Sequence, residues 1–233
     1  MLTDKPEKYE TPLTEAARRS IPVLYTQPGQ VYDVDPSRSA HVDMADVEMS
    51  GSGPRLFDAS NTTTTGLFLL EINKSYENWM LLGRLDERDQ IIAFKDLGLD
   101  SKKHYLVLEF WSKKFTGEFQ QQFNPGKIDT NFHCQVFCIR EKQTNPQLLA
   151  TNRHISCGAL ELKNCSWKNN SLEGESILTT SDDYTLYIYE PENFSFKKFS
   201  CNSGEIVANK KESLVRSITI RSSAPSLRWE IEY

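Results

Sequence analysis

Histidines and cysteines are the residues of this chain that could hold a metal ion or act as nucleophiles. The candidates are His104, His133, Cys134, His154 and Cys157. Structural zinc sites take two ligands within about four residues and repeat such a pair downstream, and these residues do not show that spacing. His133 and Cys134 are neighbours in a predicted strand, where adjacent side chains point to opposite faces. We therefore expect no metal site, and no family-specific cysteine signature marks a nucleophile.

Carboxylates could serve as the acid and base of a glycoside hydrolase. Candidate groups are Glu71, Asp86 and Glu87, and the pair Asp182 and Asp183. Such carboxylates are more common on solvated loops, and residues 86–89 are best explained as a hairpin turn. The strings GxGxxG, GxxxxGK[ST], GxSxG and HExxH are absent from the sequence. We therefore expect no catalytic residue, no cofactor and no enzymatic activity of the chain alone.

Aromatic rings offer a different chemistry, because their flat faces can stack on sugar rings. The chain has four Trp, nine Tyr and twelve Phe, and Trp79, Trp111 and Trp167 are candidate carbohydrate contacts. In a β-sandwich, most such rings are core residues or cross-strand pairs. Arg153 and His154 are further candidates for sugar contact. Side chains of this kind more often anchor a turn through hydrogen bonds to backbone carbonyls.

The elements that must position these side chains are predicted to be short β-strands. From residue 55 onward, runs rich in β-branched and aromatic residues are broken by Gly, Asn, Asp or Pro. The predicted strands are 66–73, 77–85, 89–94, 104–111, 114–120, 132–140, 157–162, 171–178, 184–190, 194–201, 213–221 and 227–233. Because helical crossovers are missing, the pattern favours an antiparallel sandwich or barrel over a parallel sheet.

Two local patterns refine this prediction. The alternation from Tyr184 to Tyr189 predicts a strand with one packed face and one wet face. Residues 96–100 predict a turn or a single helical turn between two strands. The fold class is therefore mainly β, with one or more antiparallel β-sandwiches.

The first 54 residues differ in character from the rest. Residues 14–20 predict a short helix, with Thr14 as a possible cap and Pro22 as its end, and residues 37–54 predict an irregular connection. The predicted organisation is a helix and connection at 1–54 and a β-sandwich at 55–145. Residues 146–233 form a second sandwich or continue the first.

Composition excludes several classes of partner. The 27 basic and 32 acidic residues give a net charge of −5 without a basic cluster, so nucleic acid is not an expected partner. No apolar run approaches the roughly 18 residues that cross a bilayer, and the polar start lacks the apolar stretch of a signal peptide. We expect no membrane partner, and the compartment stays open. Five cysteines without a CxxC pair favour reduced thiols.

Several strings resemble α-galactosidase-like (melibiase-type) glycoside hydrolases. Residues 6–9, 18–22 and 29–33 resemble the last segment of their catalytic (β/α)₈ barrel. The strings Phe110-Trp111-Ser112 and Asn152-Arg153-His154-Ile155 resemble distinctive parts of the C-terminal β-domain that follows the barrel. Further similar segments are 77–79, 96–99, Tyr105, Gly117, 133–134 and 147–156.

This resemblance covers nearly the whole chain and implies a function. In these enzymes the nucleophile and the acid/base are carboxylates on earlier barrel strands, which no stretch of this chain matches. The resemblance implies a noncatalytic C-terminal accessory region that packs on and stabilises a catalytic barrel of the same or a companion polypeptide. A carbohydrate-binding β-sandwich and a structural or oligomer-forming β-domain are the alternatives.

Overall fold

The computed structural model describes residues 67–85, 91–128, 134–178 and 183–233, together with the backbone of residues 55–56. These residues form mainly antiparallel strands, which confirms the predicted all-β, sandwich-like fold class. The helix predicted at 14–20 and the turn predicted at 86–89 lie outside the described residues. Within the described ranges, no helix is long and apolar enough to cross a membrane.

Among the described residues, one 3₁₀ helix, Phe94–Leu97, lies between the fourth and fifth strands. The strands are β1 (Arg55–Leu56), β2 (Leu67–Asn73), β3 (Asn78–Arg84), β4 (Ile92–Ala93), β5 (His104–Glu109), β6 (Lys114–Gln120), β7 (Gln122–Phe123), β8 (Gln135–Glu141), β9 (Gln147–Thr151), β10 (Leu162–Lys168), β11 (Ser171–Ile177), β12 (Tyr184–Tyr189), β13 (Lys198–Cys201), β14 (Glu205–Glu212), β15 (Val215–Arg221) and β16 (Ser226–Glu232).

These strands pair into three large sheets. The first sheet has the order β1-β2-β3-β8-β5-β6, the central sheet has the order β14-β15-β12-β9, and the outer sheet has the order β10-β11-β16-β13. Strands β4 and β7 form a separate short pair. All pairings are antiparallel, as expected for a chain whose strands are joined by short connections.

Three apolar clusters show how the sheets stack. One contains Leu81 and Leu108 of the first sheet together with Tyr189 and Val215 of the central sheet. A second joins the opposite face of the central sheet to the outer sheet, and a third lies beneath the 3₁₀ helix and the β4–β7 pair on the far face of the first sheet. The central sheet therefore lies between the other two.

This stacking corrects the prediction for β12. Tyr184, Leu186 and Ile188 face the outer sheet, while Tyr187 and Tyr189 face the first sheet. The predicted wet face is wrong, because the first sheet covers the side that alternation would leave to solvent. A strand between two layers is buried on both faces, as β12 is.

Turn chemistry accounts for two further outcomes. The turn predicted at 96–100 is confirmed, because the 3₁₀ helix ends at Gly98, whose φ of 79° is in the left-handed region. The strand predicted at 157–162 is wrong, because Cys157 and Gly158 have φ angles of 57° and 111° and form a turn. Strand β10 begins only at Leu162.

The predicted division near residue 145 stays a prediction. Strands up to β8 form the first sheet and the β4–β7 pair, and strands from β9 onward form the other two sheets. The apolar cluster between the first and central sheets contains residues from both sides of this point, such as Leu106 and Leu149. That shared cluster joins the two halves through packed side chains.

Gly174 provides a test of the packing between β11 and β16. It lies directly opposite Trp229, and a Cβ atom at this position would lie 2.2 Å from Trp229 Cζ2. The indole is 2% exposed and donates a hydrogen bond to Ser176 Oγ at 3.1 Å, so it has little room to move. We expect Gly174→Ala to lower the free energy of unfolding in urea by about 1–3 kcal/mol. The exposed neighbour Glu173→Ala is the control, and equal stability of the two variants would contradict this packing.

Candidate functional site

The three candidate tryptophans lie in two different cores. Trp79 is 4% exposed, and its indole N–H donates to the Ser156 carbonyl at 3.0 Å. Trp111 is half-buried against the cluster between the first and central sheets. Trp167 packs edge-on against Phe194 in the cluster between the central and outer sheets. The three rings therefore do not form a common stacking surface.

Arg153 and His154 lie in the turn between β9 and β10, and both are half-buried. His154 Nδ1 lies 2.8 Å from Ser156 Oγ and accepts a hydrogen bond from the Ser156 N–H at 3.1 Å. Burial lowers the pKa of His154 from 6.5 to about 4, so its ring is neutral at pH 7. Trp79 and His154 thus both form hydrogen bonds with Ser156 and stabilise the turn.

Asn152, the first residue of this turn, fastens it to the central sheet. Its Nδ2 donates to the Asp183 carbonyl at 2.9 Å, and its Oδ1 accepts from the Thr185 N–H at 2.8 Å. The backbone N–H of Asn152 also donates to the Thr185 carbonyl at 3.1 Å. The string that resembles the hydrolase β-domain therefore includes a residue that fixes the turn to β12.

Arg140 of β8 forms the centre of a buried polar group that we call the Arg140 cluster. Its side chain is fully buried, and Nη1 donates to Glu77 Oε2 at 2.5 Å. Nε donates to the Leu149 carbonyl at 2.8 Å, and Nη2 donates to the Cys157 carbonyl at 2.9 Å. The guanidinium also lies 3.9 Å from the centre of the Trp79 ring. This one side chain links the first sheet to β9 and to the turn that follows it.

Glu77 and Glu161 are two carboxylates on which the charge of Arg140 acts. Burial raises the pKa of Glu77, although the charge of Arg140 opposes that shift. Burial also raises the pKa of Glu161, whose Oε1 accepts a hydrogen bond from the Thr151 hydroxyl. Both carboxylates thus lie inside the fold, although Glu161 Oε2 has no hydrogen-bond partner there.

Glu109, another buried carboxylate, closes the turn at residues 110–113. Its two oxygens accept hydrogen bonds from the backbone N–H groups of Trp111, Ser112 and Val136 and from the Ser112 hydroxyl, at 2.6–3.1 Å. The string Phe110-Trp111-Ser112 therefore follows a residue that satisfies the turn's backbone donors.

Glu190, at the end of β12, is held by cationic and hydroxyl donors. Arg216 Nε lies 2.6 Å away, Lys211 Nζ lies 2.9 Å away, and the Tyr233 hydroxyl donates at 3.0 Å. Burial would raise the pKa of Glu190, but these hydrogen bonds hold it below its ordinary value. Glu190 thus joins β12, β14 and β15 to the C-terminal residue.

The metal and nucleophile candidates show no assembled site among the described residues. His133 lies outside them, and the described part of the chain holds no group of three or more His, Cys, Asp or Glu side chains that could bind a metal ion. All five cysteine thiols are unbridged, and Cys138 and Cys157 are buried.

A cleft of about 820 Å³ with an aromatic wall lies between the first and central sheets. One wall is β6, the edge strand of the first sheet, and the other is formed by β12, β15 and the β14–β15 turn. Phe115, Tyr187 and Val215 supply its apolar surface. We call it the intersheet cleft, and its volume falls within the range of small-molecule sites.

Sequence reasoning did not single out Phe115 or Tyr187. The alternation in β12 puts Tyr187 on the same face as Tyr189, and this was the available signal. The cleft exists because the edges of two sheets lie apart, and a local sequence pattern does not predict the distance between sheets. The sequence therefore indicates candidate functional residues, but it does not indicate the cleft between the sheets.

Comparisons with known proteins add no relative. No protein-family model, no curated protein and no solved structure matches this chain.

His154 predicts a specific loss of stability in acid. Its pKa is about 4 in the folded protein and about 6.5 when unfolded, so unfolding takes up a proton between these values. The stabilisation is complete above about pH 6.5 and is lost as the pH falls towards 4. We expect the wild type to lose about 2–3 kcal/mol more than His154→Asn between pH 7 and pH 4, measured by urea unfolding.

The asparagine variant is the matched control, because its Oδ1 can accept the Ser156 N–H without titrating. Other buried groups, including Glu77 and Glu161, titrate equally in both proteins and cancel in the difference. Parallel pH profiles of the two proteins would contradict the buried, neutral state of His154.

Proposed function

We propose that this chain is a noncatalytic C-terminal accessory region of a glycoside hydrolase, which packs on a catalytic barrel and stabilises it. The barrel belongs to the same polypeptide or to a companion. The proposal starts from the resemblance of residues 110–112 and 152–155 to the β-domain of α-galactosidase-like enzymes. Catalysis in such a protein would belong to the barrel.

The observation that carries this proposal is that buried carboxylates bind structural partners inside the fold. Glu77 pairs with Arg140, Glu109 binds backbone N–H groups, and Glu190 pairs with Arg216 and Lys211. A glycosidase needs two carboxylates that face one open site with different protonation states. Carboxylates bound by structural partners support a role as a scaffold.

The two strings with the most specific resemblance have structural surroundings that suit this role. Glu109 binds the turn that contains Trp111, and Asn152 binds the start of the next turn to β12. Residues that hold turns between strands keep a β-body rigid, and a rigid body can steady the loops of a barrel on which it packs.

The native polypeptide tests this proposal. An antibody against this chain should precipitate from source cells a hydrolase barrel, either on one polypeptide larger than 26.7 kDa or on a companion. The precipitate should cleave an aryl α-galactoside, whereas the isolated chain at equal concentration should not, because the acid and base are on the barrel.

Two outcomes would overturn the proposal. One is cleavage of the aryl α-galactoside by the isolated chain at enzyme-like rates. The other is a native species of 26.7 kDa that is recovered alone by size-exclusion chromatography of the cell extract.

A further inference from the structure

We propose that the intersheet cleft binds a neutral, polyhydroxylated ring, such as a pyranose at the end of an oligosaccharide. This goes beyond the proposed function, because a β-body can pack on a barrel without binding a sugar. It also uses residues other than the tryptophans that the sequence suggested.

The walls of the cleft supply an aromatic surface. Tyr187 and Phe115 approach from the central and first sheets, and Phe115 lies 6.1 Å from the Tyr189 ring, centre to centre. Beside them, Val215 continues the apolar cluster that fills the space between the sheets. A ring with one apolar C–H face would cover this surface and remove it from water.

The Tyr187 hydroxyl is the specific polar feature of this surface. Tyr187 is half-buried, and burial raises the pKa of its phenol. No hydrogen bond engages this hydroxyl within the part of the chain that the structure describes. Tyr187 lines the open cleft, so water can reach its hydroxyl. A ligand hydroxyl can replace that water and form a hydrogen bond with the phenol.

Short hydroxyl side chains surround the aromatic surface. Ser112 and Thr116 lie on the first-sheet side, and Ser213 and Ser217 lie on the central-sheet side. The Ser112 hydroxyl already donates to Glu109 Oε2, and the Ser217 hydroxyl donates to the Lys210 carbonyl, so both are acceptors for a ligand. The hydroxyls of Thr116 and Ser213 can donate and accept, which matches a ligand whose own groups are hydroxyls. A lining of acceptors alone would favour a cation, and a lining of donors alone would favour an anion.

The strand geometry directs one of these groups to the edge of the cleft. The register between β5 and β6 shifts so that Leu108 pairs with Phe115 and Val107 pairs with Gly117. Thr116 is the extra residue of this bulge. Bulges re-aim side chains at the rims of sheets and beside binding sites.

The charges of the lining favour a neutral ligand. Lys113 Nζ lies 3.3 Å from the centre of the Phe110 ring and is engaged there. Lys114 and Glu212 also line the cleft, so charges of both signs are present. A charged ligand would be repelled by the lining residue of its own sign and attracted by the residue of the other sign. Sugar hydroxyls can form hydrogen bonds with both kinds of residue.

Titration of the full chain with simple glycosides tests the inference. Methyl α-D-galactopyranoside and methyl β-D-glucopyranoside are the probes, followed by calorimetry and by saturation-transfer NMR. We expect at least one to bind with a Kd in the millimolar range, as is usual for one small ring. Tyr187→Phe should weaken that binding about three- to tenfold, because it removes one hydrogen bond and no packing.

Phe115→Ala should weaken binding at least as much as Tyr187→Phe, through the lost stacking surface. Because Phe115 packs on the core, its variant is compared only after its urea unfolding shows a folded protein at the temperature used. The control is Glu173→Ala on the exposed face of the outer sheet, which should bind as the wild type does.

Absence of binding by both glycosides up to roughly 50 mM would overturn the inference. Binding that Tyr187→Phe and Phe115→Ala both leave unchanged would overturn it too, since the sugar would then lie elsewhere. Neither result touches the proposed accessory role, which depends on what the native polypeptide precipitates with.

Discussion

The buried guanidinium of Arg140 is the interaction on which the stacking of the sheets depends. A charge removed from water is costly unless it is paired and fully hydrogen-bonded. Arg140 meets that condition only where Glu77, the Leu149 carbonyl and the Cys157 carbonyl are all in place. Those partners belong to different parts of the chain, so satisfying one side chain sets the position of the first sheet against the central sheet.

The remaining architecture follows from this position. With the first sheet held against one face and the outer sheet on the other, the central sheet is buried on both sides. The first and central sheets separate towards β6 and β15, where the intersheet cleft opens. The same constraint that keeps the charged groups engaged inside the molecule therefore leaves an aromatic, hydroxyl-rich space at its edge.

Several strands with clear patterns could be predicted, although the buried strand β9 was missed. β2, β3, β5, β6 and β12 contain alternating or continuous apolar runs, and the prediction found them. β14 was missed because it is exposed along its length and includes Lys210 and Lys211, which protect a sheet edge from further pairing. Strand β14 forms because it pairs with β15, and the local sequence of β14 does not predict that pairing.

The candidate site shows the same limit. Trp79, Arg153 and His154 were candidates for sugar contact, and that role stays a prediction. Their partners could not be predicted, because Trp79 meets Arg140 and Ser156 across more than 60 positions of sequence. The hydroxyl of Tyr187 was overlooked because nothing in the sequence of β12 indicates a cleft beside this strand.

The most direct test of this account is the urea unfolding of Arg140→Met. The variant keeps an unbranched side chain but leaves Glu77 and two backbone carbonyls without their donor. We expect the free energy of unfolding to fall by about 3–5 kcal/mol, against at most about 1 kcal/mol for the matched Arg228→Met on the exposed face of the outer sheet. Equal, small losses for both variants would contradict the claim that Arg140 holds the sheets together.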